Sequence, residues 1–148
     1  MTPSELPAST GTSVPAGFEP HFRKSPLTEP WEPIFSRRET DRVVIGMHVR
    51  EAHTNSRGMV HGGLIAAIAD NAMGLSCVAV LTGEGRKPEG GLVTVSMATD
   101  FIGAAKLGQW LEFDTQYVKT GRTLCFAQAF VRADGEVIAR ADARFRVL

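Results

Sequence analysis

The chain has 148 residues, near the usual size of one domain, and its 43% hydrophobic and 22% charged residues are the balance of an ordinary globular protein. Sixteen basic and sixteen acidic residues cancel, which removes any general electrostatic drive toward nucleic acid or an anionic membrane. No run of about 18 uncharged apolar residues is present to span a bilayer, and the N-terminus lacks the basic and apolar regions of a signal peptide, so a cytoplasmic location is expected.

Seven of the eight prolines fall within the first 33 residues. Proline fixes φ and removes a donor, so this stretch forms neither a regular helix nor an interior strand. Residues 1–30 are read as an arm. Its first 17 residues are expected to be mobile, and Phe18, Phe22, Leu27 and Trp31 lay the rest onto a single domain over 31–148. Within Trp31 to Arg50 two strands are expected, the second opening with the β-branched run Val43-Val44-Ile45. Glu51 to Val60 is a polar loop. Gly62 to Leu81 reads as one helix about 30 Å long at 1.5 Å per residue. Small or apolar residues on all its sides predict a buried position.

Four strands follow. From Gly91 to Phe101, strict alternation puts Val93, Val95, Met97 and Phe101 on one face and Thr94, Ser96, Ala98 and Asp100 on the other. Leu111, Phe113 and Tyr117 form the apolar face of the next strand, and Thr120-Gly121 turns into Leu124 to Arg132. Asp134-Gly135 is a tight-hairpin signal leading to the last strand, in which Val137, Ala139, Ala141, Ala143, Phe145 and Val147 alternate with polar residues. The predicted class is α+β: one long buried helix wrapped by a curved antiparallel sheet of about six strands. Cys77 and Cys125, each inside an apolar run, read as reduced, buried small hydrophobes.

Asp70 is the residue that local structure does not explain. An unpaired carboxylate in apolar surroundings costs several kcal/mol, roughly, even after relaxation, and Asp ranks low in helix interiors. A purely structural hydrogen bond to neighbours would account for it, and so would chemistry. The segment before the helix, Asn55-Ser-Arg57-Gly58-Met-Val-His61-Gly62-Gly63, favours chemistry. The first N–H groups of a helix have no intrahelical partner and sit at its positive end, and glycines there admit a ligand to the backbone. That is a site for the oxyanion of an acyl-transfer intermediate. There is no Ser-His-Asp nucleophile elbow. His48 and His53 have no acidic or Cys partner at metal-ligand spacing, so no metal is expected. His61 has the plain alternative of bonding its own loop, and Ser96 that of an ordinary strand serine. Arg86-Lys87 reads as a solvated loop or, with Arg57 and Arg122, as a contact for phosphates. Trp31 and Trp110 read as packing residues. Ala66, Ala67, Ile68, Met73 and Met97 suggest an apolar pocket.

The spacing Asn55-x2-Gly58-x2-His61-Gly62-Gly63-x6-Asp70 resembles the signature of the phenylacetate-type (PaaI-like) branch of hotdog acyl-CoA thioesterases, and the likeness runs from about Arg42 to the C-terminus. The resemblance implies a hotdog fold and a homodimer, often paired into a tetramer, with active sites at the dimer interface. It further implies Asp70 as general base or nucleophile and the Gly62 N–H as oxyanion donor. Asn55 and His61 would shape the site, and Thr94 would position the attacking water. Gly58, Gly63, Arg57 and Ser96 would line the substrate. The substrate would be a small aromatic or medium-chain acyl-CoA, whose coenzyme A is part of the substrate, with no separate cofactor. A non-catalytic acyl-CoA-binding module and a 3-hydroxyacyl thioester dehydratase are the alternative readings. The absence of proline between Pro33 and Pro88 counts against the second.

Overall fold

The computed structural model describes residues 13–148; the expected mobility of the first residues of the arm therefore lies largely outside the described chain. The strands are β1 (Glu19–Pro20), β2 (Phe35–Arg38), β3 (Val43–His48), β4 (Leu92–Phe101), β5 (Trp110–Thr120), β6 (Leu124–Ala133) and β7 (Glu136–Val147), with the helix α1 (Gly62–Gly83) between β3 and β4. They form one antiparallel sheet in the order β1-β2-β3-β5-β6-β7-β4. The seventh strand, beyond the six expected, comes from the arm: Glu19 and Pro20 pair with Ser36 and Phe35 at the sheet's edge, where a proline's missing N–H does no harm.

The sheet curves around α1. Ile45, Met47, Leu111, Phe113, Val131 and Phe145 pack against Leu64, Ile68, Met73 and Cys77 of the helix. A buried hydroxyl fixes the register of helix on sheet: the Val43 N–H donates to Ser76 Oγ at 3.1 Å. Cys77 and Cys125 are free and buried, and burial pushes the Cys77 thiol up to about 12. By length and composition α1 is apolar enough to cross a membrane, but 50% of that stretch is buried against the sheet. Ile68 and Met73, expected in a ligand pocket, are fully buried in this core instead. The helix is not covered on all sides as its composition suggests: Ala66, Ala67, Asp70, Asn71, Gly74 and Val78 are only half-buried.

Three bulges break the strict alternation read from the sequence. Thr94 pairs with Phe145 and Ser96 with Arg144, leaving Val95 as the extra residue. Thr115 pairs with Ala129 and Tyr117 with Gln128, which throws Tyr117 outward. In β7 the pairs Val131–Ala139 and Arg132–Val137 skip Ile138. Each bulge bends its strand and adds twist, which suits a sheet that must close around a helix. Each also exchanges the two faces beyond it. Thr94 consequently faces the helix, whereas Ser96 lies on the outer face beside Arg144, within 3.5 Å of its Nη1. The expectation that both hydroxyls share a face is therefore corrected.

The arm is tied to the domain by buried imidazoles. The His53 Nε2–H donates to the Trp31 carbonyl at 2.9 Å while Nδ1 accepts the Arg50 N–H at 2.9 Å. His21 is buried with neither ring nitrogen partnered among the described residues. Burial, the main cause in both, holds both imidazoles below the usual value. A depressed histidine is neutral in the fold, so the stability it supports is complete above about pH 6.5 and is lost as pH falls toward the folded value. Thermal unfolding followed by circular dichroism is expected to show a falling midpoint from about pH 7 to about pH 5. His21→Phe, which cannot charge, is expected to flatten part of that fall; an unaltered pH slope contradicts this.

Candidate active site

The segment before α1 is built by its own side chains. Thr54 and Val60 form an isolated antiparallel bridge, and between them Asn55 Oδ1 accepts the N–H groups of Arg57 at 2.9 Å and Met59 at 3.3 Å. Asn55 thus closes an Asx-type turn around Gly58, whose φ of +74° is the left-handed backbone that glycine adopts without strain. This leaves the amide nitrogen as the end of Asn55 able to meet a ligand. Arg57 is exposed on the same turn.

His61 is the N-cap of α1. Its Nδ1 accepts the Gly63 N–H at 2.8 Å, and its carbonyl accepts the Leu64 and Ile65 N–H groups at 3.1 and 3.2 Å. Of the first four helical N–H groups, that of Gly62 alone has no acceptor among the described residues. The two glycines therefore have different reasons. A Cβ on Gly63 would lie 2.9 Å from His61 Nδ1, so Gly63 makes room for the cap, and its N–H is engaged there rather than open to a substrate. A Cβ on Gly62 would lie 3.2 Å from the Phe101 ring. Phe101 reaches the helix start because the β4 bulge turned it to the inner face. No signal in the sequence pointed to it, since the bulge was invisible there.

Asp70 lies eight residues along the helix, about 12 Å from Gly62 at 1.5 Å per residue. Thr94 Oγ1 donates to its Oδ1 at 2.6 Å, a short charge-assisted bond that orients the carboxylate and leaves Oδ2 for other chemistry. The pair opens onto a cleft of about 160 Å³ whose walls include Arg23, Asn71, Gly74 and Phe145. A second, more apolar cleft of about 440 Å³ lies at the helix start, with Leu27, Trp31, His61, Leu64 and Ala67 among its walls. The arm contributes to both clefts. Leu27 and Trp31 were expected only to pack, and Arg23 was not singled out, because nothing in the local sequence says where an arm docks.

The structure thus divides the expected site residues into two groups. Asn55, Arg57, Gly58, His61, Gly62 and Gly63 gather at the start of α1, while Asp70 and Thr94 gather at its middle. Ser96 belongs to neither. Arg86 is not a free loop cation: its guanidinium donates to the Gly121 and Arg122 carbonyls at 2.9 and 3.1 Å, tying the end of α1 to the β5–β6 turn. A positioned carboxylate and an open N–H at a positive helix end are the kinds of group that acyl transfer uses.

Comparison with known proteins gives the family. Residues 57–139 match the family model described as thioesterase superfamily. The chain is 35% identical over 136 residues to a provisionally named esterase of Pseudomonas aeruginosa, covering 91% of this chain and 98% of that protein. It is 36% identical over 101 residues to human acyl-coenzyme A thioesterase 13, covering 67% and 68%. Among solved structures, a mutant of the phenylacetic acid degradation protein PaaI from Thermus thermophilus superposes with a TM-score of 0.71 at 22% identity, over 84% of this chain and 100% of that one. A thioesterase protein of Streptococcus pneumoniae with coenzyme A gives 0.68 at 23% identity, over 79% and 90%. Both share the fold, which is the hotdog.

The cap itself is testable. His61→Ala removes the acceptor of the Gly63 N–H and is expected to cost about 1 kcal/mol of stability, lowering the melting temperature by roughly 2–4 °C. An unchanged melting temperature contradicts the capping role.

Proposed function

The chain belongs to the thioesterase superfamily, in its PaaI-like hotdog branch, and is a thioester hydrolase; we propose that it hydrolyses acyl-CoA at a site shared between two subunits, with Asp70 as the base or nucleophile and the Gly62 N–H as the oxyanion donor. The observation that carries this reading is the pairing of Thr94 with Asp70 on the same helix that presents the unsatisfied Gly62 N–H. The name of human acyl-coenzyme A thioesterase 13 and the coenzyme A in the pneumococcal structure support the choice of acyl-CoA.

A thioester needs little help for its leaving thiolate, so one oriented carboxylate and one oxyanion donor suffice. The Gly62 N–H polarises the carbonyl and takes the charge of the tetrahedral intermediate. Asp70 attacks the carbonyl directly or removes a proton from water as it attacks. Thr94 holds the carboxylate in place, and the Asn55 amide nitrogen borders the carbonyl site. The acyl group of this reading is small aromatic or medium-chain, for which Leu75, Leu92 and Phe145 beside Asp70 offer apolar contact.

Two groups about 12 Å apart on one rigid helix cannot act on the same carbonyl. A two-fold dimer brings the Gly62 of one subunit to the Asp70 of the other. The open edge of β4 supports that assembly, because β4 is bonded only to β7 and carries the exposed apolar residues Val93, Val95 and Phe101. A long apolar edge strand left unpaired is an association surface. The small residues Ala66, Ala67 and Gly74 on the half-buried helix face beside it permit close approach of a second copy. Pairing of such dimers into tetramers is part of the same proposal.

Thiol release from a panel of acyl-CoAs tests the mechanism. Asp70→Asn is expected to lower kcat roughly a thousandfold, and wild-type activity on no acyl-CoA, or full activity in the variant, contradicts the proposal. Thr94→Val, which keeps the shape and removes the hydroxyl, is expected to lower kcat roughly tenfold without lowering the melting temperature. The oxyanion donor has its own test, because proline is favoured at the first helical position and His61, at ψ 133°, already has the backbone that precedes proline. Gly62→Pro is expected to lose roughly a hundredfold in kcat. Gly62→Ala brings the same Cβ toward Phe101 but keeps the N–H, and retains most activity. Equal losses in the two variants contradict the donor role.

A further inference from the structure

We infer that Arg23 selects the acyl group, by pairing with an anionic end, a carboxylate, on a chain held beside Asp70. This rests on the thioesterase reading of the same site and adds the substrate class to it.

β1 lies at one edge of the sheet and β4 at the other, yet Arg23, three residues after β1, shares a cleft with Thr94 of β4 and Asp70 of α1. The arm therefore crosses the open side of the helix and bridges the two edges of the sheet. It is held on both sides of Arg23. Before it, the His21 N–H donates to the Ile34 carbonyl at 2.9 Å and the Arg38 guanidinium lies 4.0 Å over the Phe22 ring. After it, Lys24 pairs with Glu32 at 3.2 Å. Arg23 is thereby presented to the cleft by a fastened segment.

The Asp70 carboxylate is the other charged wall of this cleft, and no ion pair joins the two. Among the described residues Arg23 makes no ion pair and no side-chain hydrogen bond. Glu32 is engaged by Lys24 and also accepts the Ile34 N–H, and Asp70 accepts from Thr94. The remaining walls are neutral. Asp70, Gly74 and Val78 follow one another at four-residue intervals, so the cleft runs from the carboxylate along the helix, away from its N-terminus, over a floor of Leu75, Leu92 and Phe145. A cleft that begins at the Asp70 carboxylate, has an apolar floor and carries a guanidinium with no ion pair among the described residues fits an acyl chain whose far end is an anion. A planar guanidinium meets a carboxylate through two parallel hydrogen bonds.

The same oxyanion chemistry is offered by the phosphates of coenzyme A. Thioesters that carry no phosphate separate the two sources.

The test compares kcat/KM for hexanoyl-CoA and adipoyl-CoA, which have the same chain length but end in a methyl and a carboxylate. Wild-type enzyme is expected to favour adipoyl-CoA. Arg23→Gln is expected to lower the adipoyl-to-hexanoyl ratio roughly 10- to 100-fold, the range of a hydrogen bond to a charged group, and Arg23→Lys to retain part of the preference. The same change is expected with the two N-acetylcysteamine thioesters, which carry no phosphate. A wild-type preference for hexanoyl-CoA, or a ratio indifferent to Arg23, overturns the inference. So does an equal loss on both CoA esters that the N-acetylcysteamine thioesters do not show, which assigns Arg23 to phosphate. Turnover of no thioester at all overturns the hydrolase reading itself, a result distinct from turnover without selectivity.

Discussion

An α-helix is a ruler: it fixes the distance between any two of its residues, and the layout of this protein follows from that. α1 carries the unsatisfied N–H of Gly62 at its start and the carboxylate of Asp70 just over two turns later. The helix is anchored at both ends and in the middle, by the His61 cap, by Ser76 on β3, and by Arg86 reaching the β5–β6 turn. Neither functional group can move toward the other. Chemistry that needs both must bring them together from two copies of the helix, and in the proposed dimer the second copy meets the open face of small residues beside the β4 edge, which is unpaired among the described residues.

The sheet serves the same requirement. It wraps one side of α1 with apolar side chains and stops short on the other, so Asp70 is only half-buried. The bulge at Val95 turns Thr94 onto the helix and sends Phe101 over Gly62, so a single irregularity in β4 equips both halves of the site. The arm closes part of the remaining side. It places Arg23 at the middle of the helix and Leu27 and Trp31 at its start, as walls of the two clefts.

Much of this was legible in the sequence. The helix is legible because twenty residues without proline and nearly without charge leave few other choices, and the hairpin at Asp134-Gly135 because few other dipeptides suit that turn. Asp70 stood out because a carboxylate is costly on an apolar helix, and its spacing from the glycine pair carried the family resemblance. The bulges were not legible, since alternation of apolar and polar residues is read with a fixed period and one extra residue leaves no local mark. Thr94 was found on the polar face for a reason that the bulge then made wrong for Ser96. The burial of Ile68 and Met73 depended on where the sheet ends, and the docking of Arg23 on contacts across the whole fold. The roles of Gly63 and Asn55 in holding their own turns became visible only once the hydrogen bonds were in place.

The shared site is tested most directly by subunit complementation. In the proposed homodimer, Asp70→Ala and Gly62→Pro are each expected to disable both sites. A hybrid of the two has one site with both lesions and one with neither, because a two-fold interface pairs Gly62 of each subunit with Asp70 of the other. Unfolding and refolding the two variants together at equal amounts is therefore expected to restore about a quarter of wild-type thiol release, since about half of the dimers are hybrids with one intact site each. Activity no greater than that of the separate variants, in a mixture shown by tagged co-purification to contain hybrids, would place both groups in one subunit and contradict the account.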